Sequence, residues 1–70
     1  MNTKQAIAIA RKHAVYGEAE MQSSAQSCLA DAINCFESGN YESARMWAAK
    51  CVSYVVGVGH NDYKRIAKTF

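Results

Sequence analysis

Apolar positions in this chain recur at steps of three and four, so the elements they predict are helices. Over residues 3–16, Ala6, Ile9, Ala10, His13 and Ala14 share one face, and Ile7 widens it beside Ala10 and Ala14. Lys4, Arg11 and Lys12 take the solvated side, and Thr3 is the expected N-cap. Gly17 is expected to end or bend this helix. The rival is a helix running on through Gly17, since Glu18 to Gln22 are good helix formers and one interior glycine costs only about 1 kcal/mol. A second helix is predicted over 18–38, starting near Glu18 or at Ser23-Ser24. Its stripe is Met21, Ala25, Leu29, Ala32 and Phe36, widened by Cys28, Ile33 and Cys35. A third helix, 41–56, carries one stripe of Ala44, Ala48, Cys51 and Val55 and an adjacent one of Trp47, Tyr54 and Val58. Gly57-Val-Gly59 stops it. Asn61 or Asp62 then caps a short helix over 61–68, whose apolar face is Tyr63, Ile66, Ala67 and Phe70.

Gly39-Asn40 folds the second and third helices back on each other. Glycine takes the left-handed conformation that ends a helix without a Cβ penalty, and Asn40 is expected to lend an N-cap oxygen to the helix that follows. The fold class is therefore all-α, a small three- or four-helix bundle built on a central antiparallel hairpin, with residues 1–70 as a single domain.

Within that hairpin, a small residue on the first helix faces Gly39, Tyr41 and Ala44 in a Gly-x-Tyr-x-x-Ala turn. On those residues, the segment Ala32 to Cys51 resembles a tetratricopeptide-type helical hairpin. It departs from that pattern at Asp31, where a leucine is usual, at Ala48, where an aromatic is usual, and in having no proline to close the second helix. A single such unit cannot bury its own face. The resemblance implies a role in binding peptides or proteins.

Composition sharpens the picture. The chain has 70 residues, no proline and four glycines, and its 50% hydrophobic content leans on alanine, so helices can approach closely around small side chains. A core of this size supplies about 3–5 kcal/mol, which points to self-association as the helper. The start of the chain has no targeting pattern, and no apolar run nears the length of a membrane span, so a cytoplasmic location is expected. Three cysteines, Cys28, Cys35 and Cys51, suit a reducing compartment and read as small buried hydrophobes. With His13 or His60 they could form a zinc set, but the close ligand pairs of structural zinc sites are missing. Metal and cofactor are both expected to be none. His13 reads as a hydrogen-bonded core or interface imidazole, and His60 as a loop residue.

Nothing marks an oxyanion hole, a phosphate loop or an activated thiol, so no enzyme activity is expected. Helix three has two apolar stripes and one hairpin partner. The surplus makes Trp47, Tyr54, Tyr63, Ile66 and Phe70 the candidate interface of a homodimer. Net charge is only +2, yet it is uneven: Lys4, Arg11 and Lys12 at one end and Lys64, Arg65 and Lys68 at the other form a candidate basic patch for nucleic acid. The leading expectation is a small protein–protein interaction module, a self-associating adaptor or a regulator of a larger partner. In general appearance it is similar to accessory proteins encoded by bacteria and their phages. The alternative is a weak nucleic-acid-binding protein acting through the two basic ends.

Overall fold

The computed structural model describes residues 1–16 and 22–70. They form four helices: α1 (Thr3–Tyr16), α2 (Gln22–Glu37), α3 (Tyr41–Val56) and α4 (Asn61–Ala67). There is no strand among the described residues. The behaviour of helix one at Gly17, the start of helix two before Gln22 and the place of Met21 in its stripe lie outside the described residues. No helix among those described is long and apolar enough to cross a membrane.

α3 is the hub, packing on α1, α2 and α4, while α1 and α2 also touch each other. Alanine makes this possible. Ala6, Ala10, Ala14, Ala25, Ala32, Ala44 and Ala48 have no exposed surface at all, so the backbones meet across methyl groups, and the largest side chains wholly inside are only Ile66, Val52 and Cys51. The Cα envelope measures 31 × 21 × 13 Å, and in so thin a body each long helix keeps a face on solvent.

The α2–α3 turn closes as a Schellman motif. Gly39 has φ +80°, Asn40 N–H donates to Cys35 O at 2.8 Å, and Gly39 N–H donates to Phe36 O at 3.1 Å. Phe36 and Tyr41 pack across it with ring centroids 5.4 Å apart. Asn40 stands at the N-cap of α3, but its side chain makes no capping hydrogen bond, contrary to the expectation from residue type.

Two other ends also differ from expectation. α1 is capped by Asn2 rather than Thr3: Gln5 N–H donates to Asn2 Oδ1 and Asn2 N–H to Gln5 Oε1, both at 2.8 Å, a reciprocal capping box. Thr3 is instead buried, and its hydroxyl accepts from the Arg45 guanidinium at 2.8 Å, tying α1 to α3. α4 is capped by His60, whose Nδ1 accepts the Asp62 N–H at 3.0 Å, rather than by Asn61 or Asp62.

The register of α1 is also corrected. Ile7 belongs to the core with Ala6, Ala10 and Ala14, whereas Ile9 is only half-buried. Ile7 sits one turn before Ala10 and two before Ala14, and it lines a groove with Ile33 and Phe36 of α2.

Candidate functional site

Two places on this scaffold carry chemistry that packing alone does not use. The first is at the meeting of α1 with the α3–α4 connection. His13 lies in the last turn of α1 and Asp62 in the first turn of α4, positions where a cation and an anion respectively complement the helix dipole. Their side chains are 12% and 13% exposed, and His13 Nε2 lies 2.8 Å from Asp62 Oδ2. Lys12 Nζ is 3.6 Å from the same oxygen, and Arg65 reaches the other, Oδ1, at 3.4 Å. Every ion pair among the described residues therefore ends on this one carboxylate.

His60 completes the group. Its ring stands edge-on to that of His13, with centroids 5.4 Å apart, and acceptance of the Asp62 N–H leaves its Nδ1 without a proton. The hydrogen bond from His13 holds the Asp62 carboxyl below the usual aspartate range; partial desolvation opposes this, and the charge of Lys12 adds to it.

The second place is the outer face of α3. Ser43, Met46, Trp47 and Lys50 line a shallow groove of about 230 Å³ on the side away from the alanine stripe. Met46 is 49% exposed, Trp47 is half-buried against the core, and the Lys50 ammonium lies 5.1 Å from the Trp47 ring centroid. Glu42 and Lys50 lie four residues either side of Met46 and are both exposed, with no ion-pair partner among the described residues.

The candidate interface residues are not equally available. Ile66 is fully buried in the chain's own core, packed where α4 meets α3, so it presents nothing to a partner. Trp47, Tyr54 and Tyr63 are half-buried and Phe70 is 49% exposed. The basic residues fall into separate settings. Lys12 and Arg65 meet at Asp62, while Lys4 and Arg11 flank a groove floored by Ile7, Ala8, Ile33 and Phe36 between α1 and α2. Lys64 is exposed on α4, and Lys68 is exposed at its C-cap.

The cysteines behave as packing residues. Cys51 has no exposed surface, its Sγ lies 3.6 Å from Ala10 O, and burial pushes its thiol up to about 11, with Cys28 adding to the effect. Cys28 is also raised, chiefly by desolvation. Cys35 is half-buried. Among the described residues, the groups with metal-ligand spacing are His13, His60 and Asp62, so the two histidines converge on a carboxylate rather than on the thiols.

No known protein family, curated protein or solved structure matches this chain.

Proposed function

We propose that the chain is an interaction module that pairs with a second copy of itself through α3, and that the pair serves as an adaptor or regulator of a larger protein. The observation that carries this is the pattern of α3 about Met46. A two-fold axis through Met46 sets the helices antiparallel, with Met46 on Met46 and each Glu42 opposite the Lys50 of the other copy. That pattern is complementary to itself. It gives both unpaired charges a partner and covers the Met46–Trp47 groove, whose aromatic ring and thioether are residue types that anchor such contacts.

The thinness of the monomer supports the same reading, because an alanine core with few large buried side chains gains from burying a second apolar surface. A tetratricopeptide-like α2–α3 hairpin would belong to the same class of function, binding by contact.

Sedimentation equilibrium at micromolar concentration tests the pairing. The wild-type chain is expected to run as a dimer and Met46→Glu as a folded monomer, since a carboxylate at the two-fold axis meets its own copy. A wild-type monomer at every concentration would overturn the proposal.

A further inference from the structure

We infer that His13, Asp62 and His60 form a binding site for a divalent transition-metal cation, of which Zn²⁺ is the representative. This site is independent of the α3 face and of any pairing through it. One ligand atom from each of the three residues lies within 4.8 Å of the other two. The donor set is two imidazole nitrogens and one carboxylate oxygen, which suits zinc, copper, nickel or cobalt rather than calcium or magnesium. Three protein ligands leave one tetrahedral position to water or to an outside ligand, as open zinc sites do.

Two of the three ligands are already in place. His13 and Asp62 are mostly buried and come from different helices, so their approach is set by packing and not by a mobile loop. Tetrahedral ligands at ordinary zinc bond lengths sit about 3.3 Å apart, so the cation has to part His13 Nε2 and Asp62 Oδ2 by only about half an ångström from their 2.8 Å contact. His60 supplies the third ligand from the exposed connection. Its Nδ1 lone pair now holds the Asp62 N–H. Coordination takes that lone pair, or turns the ring to offer Nε2, and water replaces it at the Asp62 N–H.

The competing charges are removable. Lys12 and Arg65 face Asp62 with side chains 62% and 60% exposed, so both can swing into solvent at little cost. His13, His60, Lys12 and Arg65 are the groups facing the carboxylate from α1, the connection and α4. A bound dication replaces the charges of Lys12 and Arg65 on it. Each imidazole gives the metal an unprotonated nitrogen.

Calorimetric titration of Zn²⁺ into the reduced 70-residue chain tests the site, together with Co²⁺ absorption to identify the ligand type. One Zn²⁺ per chain is expected. His60→Ser, which keeps an acceptor for the Asp62 N–H at the start of α4, should weaken binding roughly tenfold or more while circular dichroism stays unchanged, and His13→Ala should do the same if it folds. The Co²⁺ complex should lack thiolate-to-metal charge transfer. Absence of stoichiometric uptake, equal affinity in folded His60→Ser, or a thiolate charge-transfer band would each overturn the inference, the last by assigning the metal to the cysteines.

Discussion

His13 Nε2 and Asp62 Oδ2 stand 2.8 Å apart although they are forty-nine positions apart in the chain. The contact fastens the end of α1 to the beginning of α4, and Lys12 and Arg65 reinforce it from either side. Because Asp62 titrates below the usual aspartate range, the sign of its pH dependence is fixed. A depressed folded-state pKa contributes stability that is present above the unfolded aspartate value and is lost as pH falls through the folded one.

Asp62→Asn should therefore cost about 1 kcal/mol near neutral pH, the scale of one hydrogen bond to a charged group after partial solvent screening. In acid, where the wild-type carboxyl is also neutral, the two chains should converge. Urea midpoints measured across the acid range check this. A difference that stays constant as the carboxyl titrates would show that the amide disturbs packing and that the charge is not the cause.

α4 has seven residues and one fully buried side chain, Ile66. A helix that short does not persist without docking. Ile66→Ala should cost about 2–4 kcal/mol through lost burial and a partly collapsed cavity, a large share of what a chain of this size has. Amide hydrogen exchange should then show α4 losing protection before α2 and α3 do. Equal loss in all three would mean that α4 is part of a single cooperative unit with the hairpin.

The helices were legible because a chain without proline and with a repeat of three and four leaves few alternatives. Their ends were less so. Asn2 and Thr3 are both cap formers, and the signal that separates them is Gln5, three residues after Asn2, which closes the reciprocal box. Residue type does not mark His60 as a cap, because imidazole is not among the types preferred there, although Nδ1 accepts from the Asp62 N–H much as a hydroxyl or carboxylate oxygen would. Ile7 and Ile9 both suit a wide apolar face, and only the positions of α2 and α3 decide which is covered. The His13–Asp62 contact leaves no spacing signal at all. A weaker hint was present, a basic residue in the last turn of one helix and an acidic one in the first turn of another.

The three thiols should differ in reactivity. Cys51 is enclosed and titrates near 11, and Cys28 is buried and raised as well, while Cys35 is half-buried. Alkylation at neutral pH should label Cys35 first and Cys51 only on unfolding, since the thiolate is the reactive form. The raised Cys51 value also means that folding favours the neutral thiol, so its contribution holds below the unfolded value of 9.0 and is lost as pH rises toward about 11. Peptide mapping after brief iodoacetamide treatment gives the order. Early labelling of Cys51 would show that the α1–α3 contact opens readily.

The α3 face makes the sharpest demand, because its charge pattern requires a particular geometry. If two copies cross antiparallel at Met46, Glu42 of each lies against Lys50 of the other, and the pair can be inverted without changing either surface's size. Glu42→Lys alone places two lysines together at both ends of the contact, and Lys50→Glu alone places two glutamates there. Each single reversal should weaken pairing, about tenfold for the loss of a favourable pair and the gain of like charges at a partly exposed site. Lys50→Glu also removes the ammonium from the Trp47 ring, so it should be the more costly of the two. The double reversal restores opposite charges in the same positions and should recover most of the affinity. Equilibrium sedimentation of the four chains at low and high salt measures the coupling, which should shrink as salt rises. Additive losses in the double variant would rule out the antiparallel crossing at Met46, even if the wild-type chain proves dimeric, and would move the contact to the Tyr63 and Phe70 side of the molecule.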